Sequence, residues 1–317
     1  MRTPPENPRD ISRVDLDDVL GTIDHEARQR FGEGELPDYI PSLAEVPKDR
    51  FGMALVTLDG KVHEVGDARE RFSIQSVSKV HTLTLALKAV GGRLWERVDR
   101  EPSGDPFNSL IQLEHEQGIP RNPFMNAGAI VVADVLLSSC EDAEATLLDF
   151  MRARSGNPGL GRDAELARSE RDSGYRNIAL ANFIRSYDNL RNDPQDVLDL
   201  YYLQCSLRMH CVELARSVLY LAGAGRCGHS GEQVTSAEEA TRINAMMMTA
   251  GTYDAAGDFA FHVGLPAKSG VGGAIVAVVP HVMALCVWSP ALDGKGNSLL
   301  GRYALHRFTR MTGLSVF

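Results

Sequence analysis

The chain has 317 residues, 44% hydrophobic and 24% charged, with a formal net charge of -9. That balance suits a soluble globular protein with one large core or two lobes, and it excludes disorder as the default state. The acidic charge, with no run of Lys and Arg, argues against nucleic acid, whose phosphates need a basic stripe, and leaves small molecules as the expected partners.

Residues 1–10 form a loose leader without the apolar stretch of a signal peptide, and no later segment is long enough to span a membrane. No membrane partner and a cytoplasmic location are therefore expected. A helix is predicted over 14–31, broken by the glycines and proline of 32–37, with Tyr39-Ile-Pro-Ser-Leu43 following as a loop. Strand formers fill 51–58, Asp59-Gly60 is a two-residue hairpin signal, and 61–65 alternates as the return strand. Helices are expected at 76–90, 126–138, 143–154, 177–190, 194–221 and 236–250, then strands at 258–263, 273–279 and 281–288, and a last helix at 299–311. Asp193 caps, Pro194 at the first helical position and Asp196 on the dipole mark one helix start clearly.

Strands at both ends bracket helices, which predicts an α/β (α+β) fold. A mostly antiparallel sheet from both chain ends, flanked by helices, carries an inserted all-helical lobe. The expected unit is one catalytic domain, with residues 1–75 and 251–317 in the sheet lobe and 76–250 in the mainly helical lobe. A cleft between lobes is a usual ligand site. Cys140, Cys205, Cys211, Cys227 and Cys286 lie mostly in apolar patterns without paired ligand spacing and read as reduced core thiols. No His, Cys and carboxylate set has metal-ligand spacing, so no metal is expected. Gly223-Ala-Gly225-Arg-Cys-Gly228 has the spacing of a dinucleotide loop but follows a helix, which favours a helix C-cap and turn.

The most informative stretch is Gln75-Ser76-Val-Ser-Lys79, a serine and a lysine three apart where a helix starts. Positions i and i+3 share a helix face, so the Lys79 amine can activate the Ser76 hydroxyl if it is neutral, as burial and the positive helix start both favour. The plain alternative is a helix with Ser76 near its N-cap and Lys79 in solvent.

Five further segments accompany this pair: Tyr39–Leu43, Asn122-Pro-Phe-Met-Asn126-Ala-Gly-Ala129, Ser169-Glu170 with Arg176-Asn177, Leu200-Tyr201-Tyr202-Leu-Gln-Cys-Ser206, and Gly251-Thr-Tyr253-Asp254 running to Lys268-Ser-Gly-Val-Gly-Gly273. In order and spacing the set resembles the serine-dependent glutaminases, a branch of the β-lactamase and penicillin-binding-protein superfamily, from about Tyr39 to the C-terminus. The resemblance implies a β-lactamase-like fold and cofactor-free hydrolysis of L-glutamine to L-glutamate and ammonia through a serine acyl-enzyme. It implies Ser76 as nucleophile, Lys79 as base, Tyr253 as a proton-relaying hydroxyl, and the backbone N–H groups of Ser76 and Val271 as the oxyanion hole. Tyr39, Asn126, Glu170, Asn177 and Tyr201 are the implied substrate-binding side chains, with Glu170 suited to the substrate ammonium, and a homo-oligomer, dimer or tetramer, is the family tendency.

Each residue also has a plainer reading. Asn126 and Asn177 stand at predicted helix starts and suit N-caps, Glu170 suits a solvated charge, Tyr201 a core residue, and Lys268-Ser-Gly a turn into a strand. His81 reads as a core histidine, since Lys79 already fills the base role. Tyr202 stands where relatives often carry phenylalanine. The alternative functions are a related serine hydrolase of another amide, ester or β-lactam, and a catalytically idle amino-acid-binding protein on the same fold.

Overall fold

The computed structural model describes residues 11, 14–37, 41–103, 110–228 and 230–317. Tyr39 lies outside the described residues. The Asp59-Gly60 signal does close a hairpin: Gly60 takes φ +88°, its N–H donates to the Thr57 carbonyl at 2.9 Å, and β1 (Gly52–Thr57) pairs antiparallel with β2 (Val62–Gly66). A short ladder of β3 (Phe72–Ser73) and β4 (Arg208–Met209) leads out of this region. From the other chain end come β5 (Ala267–Ser269), β6 (Ala274–Val279) and β7 (Met283–Trp288). The resulting sheet has the order β2-β1-β7-β6-β5 with every pair antiparallel, so β5 is an edge strand.

Strands β1, β6 and β7 are buried along their whole length because both sheet faces are covered. Successive side chains leave a strand on opposite faces. Met53, Leu55, Ile275, Ala277, Leu285 and Val287 therefore join one core, filled by the helices Leu16–Arg28 and Leu299–Thr312. Ala54, Val56, Val276, Val278, Ala284 and Cys286 face a second core, which continues through Cys211–Ser217 and Leu219–Ala222 into the central helices. The mixed fold with a sheet drawn from both chain ends is thus as expected. So are the thiols: all five cysteines are free and four are buried.

Three expectations need correction. The strand predicted at 258–263 is the helix Ala256–His262. Phe-Ala-Phe-His-Val alternates like a strand, yet Phe259 and Val263, four apart, are the buried residues, and Phe261 is 84% exposed. The predicted helix over 194–221 is instead Pro194–Cys205, then β4, then Cys211–Ser217 and Leu219–Ala222. β4 leaves the helix to pair with β3, and His210 restarts helix with a reciprocal cap: Glu213 N–H donates to His210 Nδ1, and His210 N–H to the Glu213 carboxylate. The third concerns caps. Asn126 is the first residue of Asn126–Ser139 and Asn177 the third of Tyr175–Ser186, and neither side chain caps its helix. The Asp193-Pro194 start is capped as predicted, by Asp193 accepting from Gln195 N–H. Gly223 closes the helix before the glycine-rich turn, where Gly225 adopts φ +87°.

Candidate active site

Ser76 sits on a single 3-10 turn, Gln75–Ser78, from which the α-helix Lys79–Val90 continues. In a 3-10 turn residues i and i+3 eclipse one another, so Ser76 and Lys79 leave the backbone in the same direction. Gln75 enters the turn at φ +47°, a left-handed conformation that costs a side-chain-bearing residue about 1–3 kcal/mol. Its surroundings hold it there. Ser78 Oγ donates to the Gln75 carbonyl at 2.7 Å, while Gln75 Nε2 donates to Glu170 Oε1 at 2.6 Å and Ser73 Oγ at 3.1 Å.

Lys79 is 1% exposed, and Nζ donates to the Phe124 carbonyl at 3.1 Å and Asn126 Oδ1 at 2.8 Å. Among the described residues no hydrogen bond joins it to Ser76. Burial lowers its pKa to about 8, against weaker opposing pulls from Cys205 and Glu170. A neutral amine has two N–H bonds and one lone pair. Both N–H positions have acceptors, so the lone pair is what remains to act as a base. A second lysine, Lys268 on edge strand β5, is fully buried and lies 4.7 Å from the Tyr253 ring centroid. Burial, and then repulsion from Lys79, hold Lys268 well below the usual lysine range.

The turn after β5 passes flush against the serine segment. An added side chain on Gly270 would meet the Ile74 carbonyl at 2.7 Å, and one on Gly272 would overlap the Ser73 carbonyl. Glycine is required here for the two backbones to approach, and Val271 between them is brought beside the Ser76 turn. Neither the Ser76 nor the Val271 N–H donates to a backbone carbonyl among the described residues. Two unpaired N–H groups on facing backbones are what an oxyanion hole needs.

The remaining predicted side chains converge from separate elements. Glu170, from the helix Ala164–Ser173, is 8% exposed and not the solvated charge its sequence context suggests. Burial raises its pKa to about 7, against the Gln75 hydrogen bond and the Lys79 charge. Asn126 joins Lys79 to Asn177, its Nδ2 donating to Asn177 Oδ1 at 3.0 Å. Tyr201 is buried with its ring centroid 5.8 Å from Lys79 Nζ and its hydroxyl against the Cys205 thiol. Tyr253, at φ +59°, donates its hydroxyl to the Ser269 carbonyl at 3.3 Å, and Lys268 Nζ donates to the same carbonyl at 2.5 Å. His81 is a core residue as expected, bonded to Ser217 Oγ at 2.9 Å and pushed by burial to about 4, hence neutral.

Leu43, Leu166 and Leu292 pack with Tyr253 and Val271 in a small apolar cluster next to the site. A cavity of about 360 Å³ opens beyond it, between 43–47, Asp163–Leu166, Ser73, Gly272 and Trp288, and none of the reacting groups lines it. Among the described residues no group of three or more His, Cys, Asp or Glu is placed to hold a metal ion. Sequence reasoning left Gln75 and the Phe124 carbonyl without a role. Adjacency to Ser76 was the available signal for Gln75, whereas a backbone acceptor leaves none.

The glutaminase family model matches residues 34–317. A glutaminase from Rhizobium leguminosarum bv. trifolii is 54% identical over 306 residues, 96% of this chain and 99% of that protein. A glutaminase from Streptomyces coelicolor is 56% identical over 299 residues, covering 94% of this chain and 97% of the relative. Among solved structures, the protein Mglu in its glutamate form superposes with a TM-score of 0.89 at 33% identity, covering 100% of this chain and 70% of that one. On sequence, fold and arrangement alike, the chain belongs to the glutaminase family.

Proposed function

We propose that this protein hydrolyses L-glutamine to L-glutamate and ammonia through an acyl-enzyme on Ser76. The observation that carries the reading is the Lys79 amine, three residues from Ser76: it is buried, its pKa is lowered to about 8 so that it loses a proton far more readily than a free lysine, and in the neutral form the Phe124 and Asn126 acceptors take both N–H groups and leave the lone pair. Lys79 takes the Ser76 proton as Oγ attacks the carboxamide carbon, and the resulting oxyanion lies between the Ser76 and Val271 N–H groups. The proton returns to the amide nitrogen by way of Lys79 or the Tyr253 hydroxyl, and ammonia leaves. Water then attacks the ester with Lys79 again as base, which releases glutamate and restores Ser76.

Substrate recognition follows from charge. The buried Glu170 carboxylate is the anionic partner for the α-ammonium, and Asn126 and Asn177 supply neutral groups for the α-carboxylate and side-chain amide. Tyr39 and Tyr201 complete the pocket on the family pattern, and the solved glutamate form of the similar protein Mglu supports an amino-acid ligand.

The same reading takes residues 1–75 and 251–317 as the sheet lobe and 76–250 as the helical lobe of one catalytic domain. The free, mostly buried thiols suit a reducing cytoplasm, and no helix among the described residues is long and apolar enough to cross a membrane. A homo-oligomer is expected from the family; sedimentation as a monomer at working concentration would overturn that.

A glutamine analogue carrying a chloroketone in place of the carboxamide tests the nucleophile. It should inactivate the enzyme with one label on Ser76 and be slowed by glutamine. Inactivation with the label on another residue would overturn the assignment.

A further inference from the structure

Tyr253 keeps φ +59°, and the fold holds it there through its two neighbours in the chain. A residue with a side chain stays in the left-handed region only where its surroundings fix it from more than one side. On one side the backbone is tied to edge strand β5, where the Ser269 N–H donates to the Gly251 carbonyl at 3.0 Å. On the other it is grasped by residues 293–297, shortly before the helix Leu299–Thr312. Asn297 Nδ2 donates to the Thr252 carbonyl at 3.3 Å, and Lys295 Nζ donates to the Asp254 carbonyl at 3.2 Å. The carbonyls immediately before and after Tyr253 are thus both held by one loop.

That loop is itself firmly closed. The Asp293 N–H donates to the Asn297 carbonyl at 2.7 Å, and the Gly296 N–H to the Asp293 carbonyl at 3.0 Å. Asp293 Oδ1 accepts from the N–H groups of Lys295 and Asn297 at 2.9 and 3.1 Å, and Oδ2 accepts from Arg302 Nη1 at 2.6 Å. Gly296, at φ +83°, brings the loop against the site: a Cβ added there would stand 3.9 Å from the Tyr253 ring and 4.0 Å from Val271. Asn297 is fully buried, yet its Oδ1 has no partner among the described residues. An unpaired buried amide oxygen lowers stability. Packing therefore does not account for an asparagine in this place, and the bond to Thr252 does.

We infer that Asn297 and Lys295 are positioning residues for the reaction, holding Tyr253 in its left-handed turn and so setting the place of its hydroxyl. The inference rests on the reading of Tyr253 as the proton-relaying hydroxyl. That hydroxyl stands 3.3 Å from the Ser269 carbonyl. Released from the loop, the turn relaxes toward negative φ and carries the ring away from that carbonyl. Both side chains act through the backbone on either side of Tyr253, not on the reacting atoms.

Asn297→Ala, Tyr253→Phe and the double variant form the test, read as kcat/KM for glutamine. In the wild-type background Asn297→Ala should lower kcat/KM roughly five- to tenfold, the weight of one hydrogen bond. In the Tyr253→Phe background, where the hydroxyl is already gone, the same change should cost less than about twofold. A purely structural role would lower kcat/KM by the same factor in both backgrounds, and that result overturns the inference, as does wild-type kcat/KM in Asn297→Ala. Lys295→Met, at an exposed position, repeats the comparison if Asn297→Ala does not fold. A loss of about threefold confined to the wild-type background is expected there, and no loss, or an equal loss in both backgrounds, overturns the inference. Tyr253→Phe alone separates the two levels: wild-type kcat/KM in that variant removes the relay reading and the inference with it, whereas a lowered value leaves the inference to stand or fall on the comparison.

Discussion

Replacing Lys79 with methionine removes a buried ionisable group while keeping much of its volume, and the effect on stability should depend steeply on pH. Lys79 is fully buried, and burial lowers its pKa to about 8 from the ordinary lysine value of 10.5. Below the folded pKa, the native protein carries a buried ammonium that the unfolded chain would hold in water. Between the two values the unfolded chain binds the extra proton, so native stability rises with pH across that window. At pH 7 the shift corresponds to about 3 kcal/mol of destabilisation, and at pH 10 to less than about 1 kcal/mol. The wild-type protein should therefore gain about 2.5 kcal/mol on the Lys79→Met variant between pH 7 and 10. Urea unfolding of both proteins at pH 7, 8, 9 and 10 measures this directly, and titrations that the Lys79 charge does not influence cancel in the difference. The variant also leaves the Phe124 carbonyl and Asn126 Oδ1 without their donor, a cost of about 1–3 kcal/mol that shifts the whole curve without changing its slope. A stability difference that stays flat from pH 7 to 10 would refute the buried, easily neutralised lysine.

Three further outcomes follow from the same geometry. The acid limb of kcat/KM should steepen in two steps, because Lys79 must lose its proton near pH 8 and Glu170 near pH 7 to be competent; a profile flat from pH 6 to about 9 would contradict both assignments. Gln75→Met removes the donor held 2.6 Å from Glu170; with one charge-assisted bond gone, the Glu170 pKa should rise and KM at pH 7 should increase about tenfold or more, and an unchanged KM would separate Gln75 from substrate binding. Gly251→Ala would drive its new side chain into the Ala267 carbonyl at the start of β5; a loss of about 1–3 kcal/mol in unfolding free energy, measured by urea titration, is expected from such overpacking, and wild-type stability would show that β5 can yield there.

Signals confined to a few neighbouring residues were the most legible ones in the sequence. Asp59-Gly60 dictates its hairpin because only a glycine relieves the left-handed turn, and Asp193-Pro194 dictates its helix start through side-chain and ring geometry. The helix predicted from Ser76 is found as the 3-10 turn Gln75–Ser78 continuing into Lys79–Val90, a start legible from a few neighbouring residues. What failed depended on tertiary partners. Residues 258–263 alternate like a strand, but no sheet edge takes them, and burial of Phe259 and Val263 selects a helix. The break after Cys205 arises because β4 pairs with a segment 130 or more residues away, a partner no local window includes. Glu170 gives no local sign that it is buried, since its neighbours in the helix Ala164–Ser173 are mostly charged or polar and only the packing of that helix hides it. Asn126 and Asn177, for which capping is the plainer reading beside substrate binding, cap neither helix; the Asn126 amide bonds to Lys79 and to Asn177 instead.

The central claim, that Ser76 attacks the carboxamide of glutamine, is tested most directly by ammonia release. The purified protein would be assayed with L-glutamine and with L-asparagine, and Ser76→Ala, which should fold within about 1 kcal/mol of the wild type, would be assayed in parallel. Ammonia from glutamine that disappears in the variant is the predicted result. Turnover of glutamine by Ser76→Ala at a rate near wild type, or no turnover by the wild-type protein, would contradict it.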